Sequence, residues 1–195
     1  MSSTQSVTII VTGTNDGAVI GDPAVHDVTE DANAGNLTAS GTLAISDADQ
    51  GQASFQTGVT GAQDNLGSLT LQANGSYIYT VANSAVQFLG ANNTKVDTFT
   101  VTAFDGTTKQ ISFTVHGTND APVIGDPTVH DVTEDANVVN GNLTASGTLS
   151  ISDADQNQAS FQTGVTGAQG NLGSLTLQAN GGYTYTVADL SLIHI

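Results

Sequence analysis

The sequence contains no cysteine and no tryptophan, and only two of its 195 residues are basic, Lys95 and Lys109. Without cysteine, the chain cannot use the disulfides that brace many extracellular domains, and a bound metal is an alternative brace. The 18 acidic residues give a formal net charge of −16, so no cationic surface is expected for nucleic acid or anionic membranes. No signal-peptide pattern follows Met1 and no apolar run reaches about 18 residues, so we expect no membrane insertion.

Glutamate is also scarce, because only Glu30 and Glu134 accompany the many aspartates. Aspartate favours turns and caps, whereas glutamate is the better helix former. No stretch of the chain shows a convincing helical period. The acidic residues are therefore expected in loops rather than on helix faces.

Two long copies of one pattern fill most of the chain. Gly13 begins a segment that is repeated from Gly117, and after a two-residue insertion the segment from Gly35 is repeated from Gly141. The second copy has nothing like VDTFTVTAFDGTTKQISFTV of the first. We therefore predict four segments: the last strand of a preceding repeat (1–12), a complete repeat (13–116), a truncated repeat with strands A to E (117–189), and a non-native tail (190–195), whose LSLIHI resembles a translated sequencing-adapter end.

Strict alternation of apolar and polar residues in TFTVTA, ISFTV and YIYTV predicts half-buried strands. Asn74-Gly75 predicts a hairpin with a type I′ turn, which needs positive φ at both positions, and Asp105-Gly106 predicts a second hairpin. Further strands near 24–29, 37–46 and 53–60 bring the count to about seven per repeat. This predicts an all-β fold of tandem immunoglobulin-like or cadherin-like antiparallel sandwiches, with the second one truncated.

Strand direction indicates which loops meet. If strands A, C, E and G run away from the N-terminal end of a repeat, the entry linker, the B–C loop and the F–G turn lie together. The A–B loop, the exit linker and the next B–C loop meet at the other end. The candidate metal ligands are Asn15, Asp16, Asp47, Asp49 and Asp105 at the first end; Glu30, Asp31, Asn119, Asp120, Asp153 and Asp155 at the second; and Glu134 and Asp135 in the truncated repeat.

Crowded carboxylates repel one another unless a cation or solvent separates them. Ca²⁺ accepts six to eight oxygen ligands from carboxylates, amides and backbone carbonyls, so we predict Ca²⁺ as the bound ion. Zinc would need Cys or His, and the four histidines are scattered. The alternative is that Asp-Ala-Asp, Asn-Asp and Asp-Gly are ordinary turn formers with solubilising charge.

The motifs GTNDAPVIG, VTEDAN, SDADQGQ, GSYIYTV and DTFTVTAFDG occur in a fixed order. In these motifs the chain resembles the VCBS repeat family of RTX-type adhesins, which is related to cadherin-like and bacterial immunoglobulin-like modules. The resemblance implies a large extracellular or cell-surface protein, exported by type I secretion, in which neighbouring repeats form a stalk. Cell-surface or glycan ligands would then bind other domains, in cell adhesion or biofilm formation. Cadherin-type boundaries imply Ca²⁺ ligands at Glu30, Asn119, Asp120, Asp153 and Asp155.

The sequence also bears on two other function classes. A carbohydrate-binding or ice-binding module could use the regular threonines Thr98, Thr100 and Thr102, although an ordinary outward strand face explains them as well. An enzyme is not expected, because no nucleophile elbow, phosphate-binding glycine loop or metalloprotease motif occurs. The main prediction is a Ca²⁺-stiffened extender module of an adhesin.

Overall fold

The computed structural model describes Met1 and residues 3–189, and the described chain consists of β-strands and one 3₁₀ turn. The predicted all-β class is confirmed. The chain divides into two compact units: the first comprises Met1–Val86 and Thr94–His116, and the second comprises Gln87–Asn93 and the residues from Gly117 onward. The predicted non-native tail at 190–195 lies outside the described residues.

The first unit is a β-sandwich. One sheet has three antiparallel strands in the order β3-β7-β6, and the other has four in the order β2-β9-β8-β5. A short pair, β1 with β4, lies beside them. The strands are β1 Val19–Ile20, β2 Asp27–Thr29, β3 Asn36–Thr42, β4 Ile45–Ser46, β5 Thr60–Gly61, β6 Ser68–Leu71, β7 Ser76–Ala82, β8 Thr94–Thr102 and β9 Thr108–His116, with the 3₁₀ turn at Asn83–Ala85.

Aromatic side chains join the two sheets at the centre of this sandwich. Tyr79 of β7 stacks on Phe113 of β9 with ring centroids 4.6 Å apart, and Tyr77 meets the same ring edge-on at 5.7 Å. Phe99 of β8 packs edge-on against Tyr79 at 6.0 Å. All four residues occupy inward positions of alternating strands and are buried. The alternation of the sequence therefore places the core where two facing sheets need it.

One strand pair differs from the predicted antiparallel pattern. β2 runs parallel to β9, with Val28 opposite Val115. This follows from the strand directions, because the first and last strands of a seven-strand unit run the same way. A parallel pair needs a long connection, and the six strands between β2 and β9 provide it.

The hairpin turns form where they were predicted, but the type I′ turn was wrong. In the β6–β7 hairpin only Gly75 has a positive φ, at +87°, and Gln72 N–H donates to the carbonyl of Ser76 at 2.8 Å. The Asp105-Gly106 turn has the same form, with φ of +92° at Gly106 alone. These are longer loops with one left-handed glycine, the geometry of a type I turn followed by a bulge.

The second unit has fewer strands: β10 Val123–Ile124, β11 Asn142–Thr148, β12 Ile151–Ser152, β13 Ser174–Leu177 and β14 Gly182–Ala188. Its three-stranded sheet β11-β14-β13 repeats that of the first unit. In the described residues, 131–133 and 166–167 form no strand, although they match β2 and β5. In the first unit, β2 pairs with β9 and β5 pairs with β8, and the described second unit contains no counterpart of β8 or β9.

Residues 6–12 belong to no strand in the described chain and are exposed. Their assignment as the last strand of a preceding repeat therefore stays a prediction, and so do the other predicted segment boundaries.

Candidate functional site

An oxygen-rich cluster lies at the start of the first unit, where three loops meet. Asp16, in the segment before β1, donates its N–H to Asp49 Oδ2 at 2.8 Å. Asp47 Oδ1 accepts the Asp49 N–H at 2.8 Å, in the loop that follows β4. Asp105, in the β8–β9 turn, accepts the Ala18 N–H through Oδ2 at 3.0 Å. The structure thus brings together the entry segment, the B–C loop and the F–G turn. The fifth predicted member, Asn15, adjoins Asp16, and its amide donates to the Asp16 carbonyl at 2.9 Å.

Asp105 is held in its ionised form by neighbouring donors. The hydroxyl and the N–H of Thr107 and the N–H of Ala18 lower the pKa of Asp105 to about 2, and the Asn15 side chain contributes in the same direction. These donors come from two different segments. Asp105 therefore stays negatively charged at neutral pH, as a ligand for a cation must.

One oxygen of Asp47 is unsatisfied. Asp47 Oδ2 is buried and has no hydrogen-bond partner, although Oδ1 of the same carboxylate is bonded to the Asp49 N–H. A buried acceptor without a donor is costly, and native proteins almost always satisfy such atoms with a protein group, water or an ion. This oxygen has the chemistry of a ligand for a hard cation.

The second unit repeats the arrangement. Asp120 N–H donates to Asp155 Oδ2 at 3.0 Å, and Asp153 Oδ1 accepts the Asp155 N–H at 2.9 Å. The Asn119 amide bonds the carbonyl of Asp120 at 2.6 Å. Asp155 is only 2% exposed, and its Oδ1 is buried without a hydrogen-bond partner. Gly90 lies against this carboxylate, because a Cβ at Gly90 would be 3.4 Å from its carbon.

Glu30 and Asp31 form a separate group in the first unit. Glu30 is 1% exposed, and its N–H donates to the carbonyl of His116 at 2.9 Å. Asp31 has a positive φ of 59° and exchanges two hydrogen bonds with the Asn83 side chain, at 2.9 and 2.8 Å. Because Glu30 and Asp31 belong to the first unit and Asp120 and Asp155 to the second, their predicted grouping stays a prediction.

Asn83 is a residue that sequence analysis missed. It is buried directly after β7, in the 3₁₀ turn, and its amide fixes the A–B loop through Asp31. The matching pair in the second unit is Asp135, with φ of 59°, and Asp189, whose Oδ1 accepts the Asp135 N–H at 3.3 Å. Glu134 lies beside this pair in sequence and is half-buried. The sequence does contain a signal for this residue. An oxygen-bearing side chain directly follows β7 and its counterpart β14, Asn83 in the first unit and Asp189 in the second.

The donor set fits a hard cation better than a transition metal. Its members are carboxylates and amides, which suit Ca²⁺.

Two histidines lie closer to one carboxylate than their scatter in the sequence suggested. His26 and His116 lie 3.8 and 3.5 Å from Asp27, but all three side chains are about half exposed. Among the described residues, no group of three or more His, Cys, Asp and Glu side chains is arranged to hold a metal ion. Backbone and amide oxygens would have to complete any site.

The threonines proposed as an alternative binding face lie on the outside of β8. Thr98, Thr100 and Thr102 are half-buried, and Thr98 Oγ1 lies 3.1 Å from Ser112 Oγ on β9. These contacts are the cross-strand pairs of an ordinary sheet face. In the part of the chain that the structure describes, no helix is long and apolar enough to cross a membrane.

Comparisons with known proteins point to one family. The model of the bacterial cadherin-like domain matches residues 15–117. The comparison with curated proteins returned no match. Among solved structures, the chain is similar to PcdhgB3 EC1-4, with 14% identity and a TM-score of 0.48, over 92% of this chain and 42% of that one. It is also similar to the human desmocollin-1 ectodomain, with 13% identity and a TM-score of 0.42, over 94% of this chain and 33% of that one. Because the family match spans more than half of the sequence, this chain belongs to the bacterial cadherin-like domain family.

Proposed function

We propose that this chain is part of the extracellular stalk of a large secreted bacterial adhesin, in which Ca²⁺ orders successive repeats. The main support for this proposal is the state of Asp155. Its side chain is 2% exposed, and one of its carboxylate oxygens has no hydrogen-bond partner. A buried carboxylate oxygen without a donor is costly, and a nearby cation would remove this cost. Ca²⁺ from solution would supply this positive charge without a lysine or arginine side chain.

The lysines of the chain are engaged elsewhere. Lys95 pairs with Asp64 at 3.0 Å and lies 3.7 Å from Asp97, and Lys109 pairs with Asp22 at 2.7 Å. Because the sequence has no other lysine or arginine, neither can neutralise the two oxygen clusters. A cation from solution is the remaining source of positive charge.

The proposed ligands fall into two sets. In the first unit they are Asn15, Asp16, Asp47, Asp49 and Asp105. At the following boundary Asn119, Asp120, Asp153 and Asp155 supply oxygens, with Glu30 and Asp31 from the preceding A–B loop. Glu134 and Asp135 would serve the next boundary in the same way. Oxygen donors of this kind match the coordination that Ca²⁺ prefers.

The mechanical consequence concerns the linkers. Carboxylates that repel one another favour a loosely ordered linker, and bound Ca²⁺ replaces this repulsion by shared coordination. The ordered state then gains stability by mass action as Ca²⁺ rises. Gly17-Ala18 in the first linker stands where the second has Ala121-Pro122, so the first linker should depend more on the ion for its stiffness.

The family and the resemblance to VCBS repeats of RTX-type adhesins support a proposal for the wider role. Bacterial cadherin-like repeats of this kind would hold a ligand-binding domain away from the cell after type I secretion, in adhesion or biofilm formation. Neighbouring repeats would be the direct partners of this segment. Ligands on cells or glycans would bind elsewhere in the parent protein.

Small-angle scattering tests the stiffening directly. We expect the chain to become less flexible and more extended when millimolar Ca²⁺ is added, and to return to its original state with a chelator. Asp155→Asn should lose most of this response. Asp126→Asn removes one charge at an exposed position and is the matched control. Scattering curves that are the same with and without Ca²⁺ would contradict the proposal.

A further inference from the structure

The chain contains three Asn-Gly pairs, and the structure places them in different surroundings. They are Asn74-Gly75 in the β6–β7 hairpin, Asn180-Gly181 in the β13–β14 hairpin, and Asn140-Gly141 in the loop before β11. An asparagine that precedes glycine can lose ammonia without an enzyme, because no side chain on the glycine obstructs the attack of its nitrogen on the asparagine side chain. The state of these two reacting groups therefore decides which pair reacts.

Both reacting groups are occupied in the two hairpins. The Gly75 N–H donates to the carbonyl of Gln72 at 2.9 Å, and Asn74 Oδ1 accepts the Ser76 N–H at 3.0 Å. The β13–β14 hairpin repeats these two bonds, from the Gly181 N–H to the Gln178 carbonyl at 2.9 Å and from the Gly182 N–H to Asn180 Oδ1 at 3.1 Å. The attacking glycine is also buried in each hairpin.

The third pair lies in an exposed two-residue turn. Val139 and Asn142 flank it and exchange backbone hydrogen bonds at 2.9 and 3.0 Å. Asn140 and Gly141 have φ of +52° and +73°, the type I′ pattern, and a Cβ at Gly141 would meet nothing within 4 Å. Among the described residues, the Gly141 N–H has no acceptor and the Asn140 side chain has no hydrogen-bond partner. Both reacting groups of this pair are thus free.

The free pair belongs to the two-residue insertion of the second repeat. The first repeat has Ala34-Gly35 at the matching place, so it lacks the asparagine. Residues 31–36 of that loop are exposed in the first unit, although both of its sheets are present there. Exposure of this loop is therefore compatible with a two-sheet sandwich.

We propose that Asn140 is a site of spontaneous deamidation, and that the fold protects Asn74 and Asn180 from the same reaction. The Gly141 nitrogen loses its proton and attacks Cγ of Asn140, so a new C–N bond forms and the side-chain amide leaves as ammonia. Water then opens the resulting succinimide ring at either carbonyl, which gives aspartate or isoaspartate. One water is consumed and one ammonia is released, without a cofactor or an oxidant.

The attack requires the turn to open, because the nitrogen reaches Cγ only after the backbone of Asn140 rotates out of the type I′ geometry. The bonds between Val139 and Asn142 close this turn, and its residues are exposed, so opening costs little free energy. In the hairpins, opening must in addition break the bonds of both reacting groups and expose a buried glycine. The three pairs should therefore differ in rate although their dipeptides are identical.

The reaction changes both the charge and the shape of this loop. Asp189 links the turn to Asp135, since its N–H donates to the Gly141 carbonyl at 2.9 Å and its Oδ1 accepts the Asp135 N–H at 3.3 Å. The product adds a carboxylate to this acidic loop. Isoaspartate also lengthens the main chain by one carbon, which disrupts the pairing of Val139 with Asn142. The inference does not depend on whether the oxygen clusters bind Ca²⁺.

Peptide mapping by mass spectrometry tests the site on the full chain, incubated at mildly alkaline pH, where more of the attacking nitrogen is deprotonated. We expect Asn140 to convert at least about tenfold faster than Asn74 and Asn180, which react only from opened hairpins. Because Asn180 lies in the same unit as Asn140, general opening of that unit would not produce the difference. In concentrated urea the three rates should converge, because each asparagine then precedes an unprotected glycine.

A matched pair of variants identifies the source of the acidic product. Asn140→Gln should abolish the early acidic band in isoelectric focusing, because glutamine must form a larger ring and reacts far more slowly. Asn74→Gln should leave that band unchanged. Position 140 is exposed, so its substitution should not unfold the unit. Equal rates at Asn140 and Asn180 in the folded chain, or a preference for Asn140 that persists in urea, would overturn the proposal.

Discussion

Asp97 and Asp155 are both buried carboxylates, but their surroundings differ. Asp97 is 0% exposed and accepts hydrogen bonds from the N–H groups of Leu66 and Gly67 and from the Tyr79 hydroxyl, at 2.6 to 3.1 Å. Burial and this bond to Asp97 raise the pKa of Tyr79 well above its ordinary range. Asp155 has one oxygen bonded and the other without a partner. Asp97 is thus a completed structural group, whereas Asp155 lacks a partner that a cation would supply.

Asp105 gives a prediction about pH. Its pKa of about 2 in the folded protein lies below the ordinary value of 3.8, so folding favours the ionised form. The resulting stability is fully present above about pH 5 and is lost as the pH falls towards 2. We expect Asp105→Asn to have a smaller loss of unfolding free energy than the parent between pH 5 and pH 2, measured by urea denaturation. Identical pH profiles would contradict this assignment.

Two glycines in a left-handed conformation, Gly75 in the β6–β7 hairpin and Gly51 in the loop after β4, have different surroundings. Gly75 has φ of +87°, and a Cβ there would lie 2.4 Å from the carbonyl oxygen of Leu43. Gly51 has φ of +81°, but a Cβ there would meet nothing within 4 Å. The two glycines therefore separate the cost of backbone conformation from the cost of a backbone clash.

We expect Gly51→Ala to lower the free energy of unfolding by about 1 kcal/mol, the cost of a left-handed non-glycine residue. Gly75→Ala should cost about 3 kcal/mol or more, because β3 must move to relieve the contact with Leu43. Chemical denaturation of the two variants measures both values. Equal losses would show that the β6–β7 turn can shift at no cost.

Much of this architecture could be predicted from the sequence, because period-two alternation and Asp-Gly or Asn-Gly pairs are local signals. The short strand β5 could not, since residues 53–59 make only an isolated bridge, Phe55 to Ala103, and their pairing depends on β8. The turn type was also beyond local reasoning, because the loop length is set by the strand register. Strand direction indicated which acidic loops meet in each unit. Strand direction could not indicate Asn83, because its role depends on a hydrogen bond from its own side chain to Asp31.

The two units should differ in stability although their sequences nearly repeat. Tyr79 is 0% exposed, whereas its counterpart Tyr185 is only half-buried and lines an open cavity. A sheet face without its partner strands loses both apolar burial and backbone pairing. The second unit should therefore open locally more often than the first.

Hydrogen exchange measures this difference directly. We expect amides after about Gly117 to exchange faster than those of β7, β8 and β9. The comparison of β7 with β14 is the sharpest, because these strands have matching positions in the two three-stranded sheets. Equal protection of β7 and β14 would contradict the idea that the second sandwich is incomplete.

The proposed stalk function depends on whether the oxygen clusters bind Ca²⁺, and a calorimetric titration tests this most directly. We expect binding with a dissociation constant of about 10⁻⁴ to 10⁻³ M, the range of extracellular modules. Asp47→Asn and Asp155→Asn should each remove or weaken part of the binding, because each removes charge from a carboxylate with an unsatisfied oxygen, whereas Asp126→Asn should leave it unchanged. No binding at millimolar Ca²⁺, or the same binding in all three variants as in the parent, would mean that the acidic loops are turns and not ion sites.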